Sequence, residues 1–186
     1  MNWLKGFVLI LMIPLAGCLT QNYGDSRHAV GPLPVASGEL IRGSLTSVEI
    51  VELRTVLVYG SADATAVALQ EELTSIFQEP GLFDGEGGRN LTLEISSIES
   101  EEVILNIGVL VGNHSATSEG SYVLKCADGT VLHTASVDTQ AEATLDDAAS
   151  QPGRRAAAHQ KALFSNAYGY RQILIALAAR INDESC

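Results

Sequence analysis

Apolar residues recur at two different periods along this chain, and each change of period marks an element. Across residues 45–59 (LTSVEIVELRTVLVY) the positions Val48, Ile50, Val51, Val56, Leu57 and Val58 predict a strand, or a strand pair broken near Arg54, that Gly60 stops. A three-four spacing follows: Ala66, Leu69, Leu73, Ile76 and Phe77 predict a helix over 62–78, capped by Ser61 or Asp63 and ended by Pro80-Gly81. Asp84-Gly85-Glu86-Gly87-Gly88 reads as a flexible acidic loop. Strands are then expected at 91–98, at 103–111 and, around the hairpin signal Asp128-Gly129, at 121–126 and 130–139. The unbroken apolar run VILNIGVLV at 103–111 marks a central strand. After the polar, acidic stretch 142–150 and a break at Pro152-Gly153, a long helix is predicted over 154–182. Ala156, Gln160, Leu163, Ala167, Tyr170, Leu174, Leu177 and Ile181 form its buried stripe, in which only Gln160 is out of character. Gly169 costs that helix ~1 kcal/mol relative to alanine, which points to a close packing contact. Helical neighbours two apart diverge by about 200°, so with Tyr170 in the stripe, Tyr168 is expected on an exposed contact surface.

Strand, helix, antiparallel meander and helix, in that order, predict an α+β domain. Its sheet is mainly antiparallel, of about four to six strands, with two helices packed on one face. The other face is left open, and an open face or edge is where protein partners commonly add on.

Ahead of this domain the pattern changes again. Lys5 and the amino terminus give a small positive region, residues 6–15 (GFVLILMIPL) give an apolar one, and Ala16 and Gly17 are small. The apolar stretch is about half of the ~20 residues that span a bilayer. The run Leu15-Ala16-Gly17-Cys18 resembles the lipobox of bacterial lipoprotein precursors. That resemblance implies that 1–17 is a signal peptide and that Cys18 is the lipidation site and first mature residue, carrying palmitate-type chains. Several chains make such anchoring durable where one holds only marginally. Leu19 stands where an aspartate tends to retain members of that family in the inner membrane. Its presence resembles the outer-membrane class, so the expected location is the outer membrane, lipid-anchored and facing the periplasm. Residues 18–38 are then the lipidated cysteine with a flexible tether, whose ~20 residues could reach ~65–70 Å. Residues 39–186 form a single periplasmic domain.

Composition agrees with one globular domain: of 186 residues, 46% are hydrophobic and 18% charged. The formal charge of -11 becomes more negative when Lys5 leaves with the signal, which disfavours phosphate-rich partners and excludes nucleic acid from the expected ones. Contact with the membrane is expected through acylated Cys18 and not through a basic patch.

Cys126 and Cys186 remain as an even pair in an oxidising compartment. Two readings stand: a disulfide that clips the C-terminal helix, closing a loop of about 60 residues and worth ~3–4 kcal/mol, or a buried thiol at 126 with a free thiol on a frayed tail. His28, His114, His133 and His159 have no spacing that sets two on one metal, with His28 in the tether, His114 in a turn, His133 in a strand and His159 on the last helix. No metal and no cofactor is expected. The acidic loop could offer oxygen ligands to calcium but lacks the spacing of a calcium loop. Glu99, Glu101, Glu102, Asp146 and Asp147 read as solvated turn carboxylates. Arg154 and Arg155 read as a solvated pair, at a helix start where cations are disfavoured and where Asp146 or Asp147 could compensate. No catalytic set converges in the sequence.

The segment 119–132 (EGSYVLKCADGTVL) and the long Ala-rich final helix, with the lipobox and tether, look like small outer-membrane lipoproteins of the lipopolysaccharide-assembly and transport-auxiliary type. That resemblance implies a non-enzymatic accessory or assembly component of an outer-membrane or transport/secretion machine. Its partner would be an envelope protein, or a lipid. The alternative is a periplasmic carrier of a small apolar ligand, with a pocket between sheet and last helix. An enzyme is the third reading and would need side chains that only the fold brings together.

Overall fold

The computed structural model describes residues 30–55, 62–86, 88–103, 113–144, 146–147 and 151–186. Its strands are β1 (Ser44–Ile50), β2 (Leu53–Thr55), β3 (Asn90–Val103), β4 (His114–Cys126) and β5 (Val131–Ala143); its helices are α1 (Ala62–Gln78), α2 (Gln151–Ala176) and α3 (Ala178–Asp183). The strand order is β1-β3-β4-β5, with β2 also pairing β3. The fold is α+β as expected, and both main helices pack against the sheet. The ladders β3–β4 and β4–β5 are antiparallel, while β1 and β2 run parallel to β3. The parallel edge follows from α1, because a helix between two strands returns the chain in the same direction.

β1 and β2 are one broken edge strand. The break falls at Val51 and Glu52, slightly before the expected Arg54, and it faces an irregularity in β3. There Ile95 pairs with Tyr122 but Ser97 with Ser121, so Ser96 is an extra residue. Its hydroxyl donates to the Ser121 carbonyl at 3.3 Å.

The core lies between the sheet and the helices. Leu91, Leu93, Ile95, Tyr122 and Leu124 from the sheet meet Leu69, Leu73, Ile76 and Phe77 of α1 and Phe164, Ala167, Tyr170 and Leu174 of α2, all buried. Of the predicted stripes, Leu69, Leu73, Ile76 and Phe77 of α1 and Gln160, Leu163, Ala167, Tyr170 and Leu174 of α2 are buried, Ala156 and Leu177 are half-buried, and the one helix expected over 154–182 is broken at Leu177 into α2 and α3. α2 begins at Gln151, ahead of the expected break. Pro152 is tolerated in the first turn because its missing N–H has no intrahelical partner there.

Three strands are longer than their hydrophobic pattern. β3 runs on to Val103, so Glu99, Glu101 and Glu102, expected at a turn, lie on a strand paired with β4. β4 starts at His114, which was expected in a turn, and β5 continues to Ala143. The inward residues there are small or polar: Ala116, Ser118 and Gly120 on β4, Val137, Thr139 and Ala143 on β5. α2 approaches this end closely, and Ala116, Ala143, Ala158 and Ala162 form a separate small-residue cluster. Beyond Val103, the strand expected at 103–111 lies outside the described residues.

Residues 30–38, expected to be tether, lie against the domain instead. Val30 and Leu33 pack on the core, and the Ala36 N–H donates to the Gly81 carbonyl at 2.8 Å. The segment is held from below by Arg171 of α2, whose side chain is fully buried. Its Nε donates to the Pro34 carbonyl at 2.6 Å, Nη1 to Ile76 at 2.6 Å, and Nη2 to Glu79 and Pro80 at 3.2 and 2.9 Å. These carbonyls include the C-terminal turn of α1, where a helix concentrates negative potential and a cation is favoured.

Candidate functional site

The C-terminal corner of the domain gathers more chemistry than any other described region. The Sγ atoms of Cys126, at the end of β4, and Cys186, the last residue, are joined in a disulfide with a Cα–Cα separation of 5.7 Å. It ties the tail after α3 to the β4–β5 hairpin, where the Cys126 N–H donates to the Thr130 carbonyl at 2.8 Å. Arg89 covers the join: its Nε lies 3.3 Å from Cys186 Sγ, and both terminal nitrogens reach the Ile181 carbonyl at 3.5 Å. Asn182 fixes α3 from the other side, donating to the Leu40 carbonyl at 2.9 Å and accepting the Arg42 N–H at 2.8 Å.

Between α3 and the start of β5 opens a cavity of about 320 Å3, lined by His133, Thr134 and Arg180 over Leu132, Leu177 and Ile181. His133 Nδ1 lies 3.2 Å from the Tyr170 hydroxyl, and the two rings stack with centroids 5.8 Å apart. Partial burial, assisted by the Arg180 charge, holds the His133 imidazole below its ordinary pKa. Tyr170 in turn stacks on Tyr122 at 4.4 Å, and Phe77 lies edge-on to Tyr170 at 6.1 Å. Burial pushes both tyrosine hydroxyls well above their ordinary pKa, so each is neutral. This aromatic column fills the space between sheet and α2 where an apolar ligand would otherwise sit.

The sheet face turned away from the helices is polar. Thr92 and Glu94 of β3, Thr117, Glu119, Ser121 and Lys125 of β4, and Thr134, Ser136, Asp138, Gln140 and Glu142 of β5 are exposed or half-buried. Lys125 Nζ pairs with Glu94, while Glu119 and Asp138 stand in register on neighbouring strands. Such a face is stable against water and presents no apolar patch among its described residues.

Asp84 ties the start of the acidic loop to the backbone. Asp84 accepts the N–H groups of Gly43 and Glu86 at 2.9 and 2.8 Å, and these bonds hold its carboxyl below the ordinary range. That carboxylate closes the turn that starts β1, so the calcium reading loses its first ligand to the backbone. Asp147 is engaged by Lys161 and by the start of its own turn. Partial burial pushes its carboxyl up, but ion pairing with Lys161 and the Thr144 N–H at 2.7 Å outweigh that and hold it low.

Two other expectations change, while His159 lies on α2 as expected and is fully buried. Arg154 is buried, at 2% exposure, and not solvated. Tyr168 is also buried, because α2 is covered on a second flank by α1 and residues 30–41 as well as by the sheet. The helical-wheel argument fails where a helix has neighbours on more than one side. His133 sits on a strand as expected, His114 begins one, and Cys18 and His28 lie outside the described residues. Sequence reasoning missed the pairing of His133 with Arg180, since 47 positions separate them and only α3 brings them together.

No protein-family model matches the chain, and no curated protein is significantly similar to it. Solved structures with similar architecture include a Xanthomonas campestris protein of the DUF330 family, at 12% identity and TM-score 0.49, covering 82% of this chain and 97% of that one. A minor lipoprotein from Acinetobacter baumannii has 9% identity and TM-score 0.37, covering 73% and 94%. The rare lipoprotein B from Shewanella oneidensis has 9% identity and TM-score 0.30, covering 72% and 89%. At these values the likenesses lend this chain no residue role and no activity.

Proposed function

We propose that this chain is a non-enzymatic, lipid-anchored envelope protein, an accessory or assembly component of an outer-membrane or transport/secretion machine that works by binding another envelope protein. The observation that carries the reading is the run Leu15-Ala16-Gly17-Cys18 behind a short apolar stretch, which makes Cys18 the anchor. The way the domain takes up residues 30–38 supports it. With Val30, Leu33 and Pro34 held on the body, 11 positions (19–29) separate Cys18 from the first held residue, and their contour cannot exceed about 40 Å. A body held that near the bilayer suits seating beside a membrane-embedded machine better than long-range transit.

The filled sheet–helix interface favours docking over the carriage of an apolar ligand. Tyr122, Tyr170 and Phe77 occupy the place that such a ligand needs. A polar outer sheet face is compatible with reversible docking, because it costs nothing to expose between encounters.

Fractionation and in-cell crosslinking in a bacterium that naturally makes the chain test this reading. Wild-type protein is expected in the outer-membrane fraction, crosslinked to an identifiable component of an envelope machine, with Cys18→Ala lost from that fraction. Equal fractionation of the two forms contradicts the anchor, and an anchored form that crosslinks to no envelope protein contradicts the assembly role.

A further inference from the structure

We propose that the cavity between α3 and the start of β5 is a binding site for a small carboxylate, held by Arg180 and His133. It is independent of the anchoring reading, since it uses neither Cys18 nor the outer sheet face.

The charge balance is the first argument. The chain carries a formal charge of -11, yet this cavity has a guanidinium and an imidazole on its wall. Among the described residues no carboxylate pairs with Arg180, although Asp183 and Glu184 follow it within one helical turn. An anion would be the first group to neutralise it. Coulomb attraction at such a partly enclosed spot is screened less than on open surface.

Geometry is the second. His133 is prevented from turning freely, because Nδ1 meets the Tyr170 hydroxyl at 3.2 Å and the ring lies along that of Tyr170. Nε2 is left as the nitrogen outside that contact. Tyr170 is itself locked in the aromatic column, so the imidazole is placed by the core and not by a mobile loop. Arg180 is placed by α3, which the Cys126–Cys186 disulfide and the Asn182 bonds hold against the sheet. An imidazole fixed before the ligand arrives loses little entropy on binding it.

Size and polarity select the ligand. About 320 Å3 is at the low end of the ~300–1,000 Å3 of small-molecule pockets. Leu132, Leu177 and Ile181 offer a short apolar contact for a carbon chain, and one guanidinium matches the planar fork of one carboxylate. A phosphate dianion brings twice the charge to a strongly acidic protein with no second permanent cation on the cavity wall.

Protonation couples to this site. The groups facing His133 are Tyr170 from α2 and Arg180 from α3, while its neighbour on β4 is Leu124, which does not titrate. Arg180 disfavours the imidazolium; a carboxylate lying between them offsets that and favours it. Ligand binding is therefore expected to take up a proton and to strengthen as the pH falls through the imidazole range.

The test is titration of the full chain with butyrate, followed through the ring nitrogens of His133 by NMR, with butyramide and inorganic phosphate as parallel probes. Butyrate is expected to saturate the His133 shift and raise the pKa of that ring, while butyramide leaves both unchanged and phosphate acts more weakly. Arg180→Gln, at an exposed position that leaves the fold intact, should weaken butyrate about tenfold or more, the loss of a charge-assisted pair. His133→Phe, followed through the backbone amides of Leu132 and Ile181 on the cavity wall, should keep part of the affinity and lose its pH dependence. No saturable response to butyrate, equal affinity in Arg180→Gln, or equal response to butyramide would each overturn the proposal, as would phosphate binding more tightly than butyrate.

Discussion

Tyr122 of β4 donates its hydroxyl to the side-chain oxygen of Asn166 on α2 at 2.5 Å, in the middle of the sheet–helix interface and away from solvent. The same amide donates from Nδ2 to the carbonyl of Ser118 at 3.1 Å and to that of Val137 on the neighbouring strand. One fully buried asparagine thus pins the long helix to two strands at once. It fits only because β4 has Gly120 beside it: a Cβ there would stand 2.4 Å from Asn166 Oδ1 and 2.8 Å from the Tyr122 ring. A buried polar side chain with its donors and acceptors satisfied specifies register as well as contributing stability.

Gly120→Ala should therefore destabilise the domain by ~2–4 kcal/mol, the range of an overpacked site that also displaces a buried hydrogen bond. Asn166→Ala should cost a similar amount by leaving the Tyr122 hydroxyl and two carbonyls without it. The two share one contact, so the double variant is expected to lose less than the sum. Denaturant melts of the four proteins measure this, and strict additivity would show that the contact does not exist.

Gly169→Ala removes the propensity cost of glycine in α2 but brings a Cβ to 3.0 Å from the Val137 side chain. The expected result is a net loss of ~1 kcal/mol or more, with recovery when Val137 is shortened to alanine. A stabilised Gly169→Ala protein would mean that helix and strand are not so closely packed.

These two glycines show what the sequence disclosed and what it hid. The stripes of α1 and α2, the hairpin at Asp128-Gly129 and the strand–helix–meander–helix order were legible because they rest on large apolar side chains at regular spacing. The outer halves of β4 and β5 were not, since Ala116, Ser118, Gly120 and Ala143 face inward and give no hydrophobic alternation. They are small because α2 lies close, and that is a property of the tertiary structure. Tyr168 was misplaced for a related reason: α2 has cover on more than one flank, which the period of a single helix cannot reveal. Of the candidate site, His133 was visible only as an isolated histidine. Its partners Tyr170 and Arg180 reach it through the return of the C-terminal helices to the sheet.

The disulfide closes the chain across 60 positions. Replacing Cys186 by serine should lower stability by ~3–4 kcal/mol in the chain-entropy picture and loosen α3. Hydrogen exchange under non-reducing conditions should show the amides of Ala178–Asp183 losing protection before those of α2. Equal protection in wild type and Cys186→Ser would show that the packing of Ala178 and Ile181 suffices to hold α3.

His133 gives stability a pH dependence whose sign is fixed by its depressed pKa. The folded domain binds the proton less readily than the unfolded chain, so its contribution is present above the ordinary histidine value near 6.5 and is lost as the pH falls through the lower folded value. Asp84 acts in a more acidic window. Its contribution is present above the ordinary carboxylate range and is lost as the pH falls through its depressed value. Melts of wild type against His133→Phe should converge in slope above neutrality and diverge below pH 6.5, whereas Asp84→Asn should be the less stable protein at neutral pH and approach wild type in acid. The reverse ordering would contradict the burial and Arg180 charge assigned to His133 in the first pair, and the backbone hydrogen bonds assigned to Asp84 in the second.

Arg171 is the contact that takes residues 30–38 out of the tether. Arg171→Met should release the Pro34 segment, and limited proteolysis would then cut between Val30 and Glu39 where the wild-type domain resists. Resistance unchanged by the substitution would mean that Val30 and Leu33 hold the segment without the guanidinium.

The most direct measurement is the intact mass and amino-terminal peptide of the protein isolated from a bacterium that makes it naturally. A chain that lacks 1–17 and begins at Cys18 with acyl groups on that residue is the expected result. A chain that retains Met1, or carries a bare thiol at position 18, contradicts a lipid-anchored envelope protein.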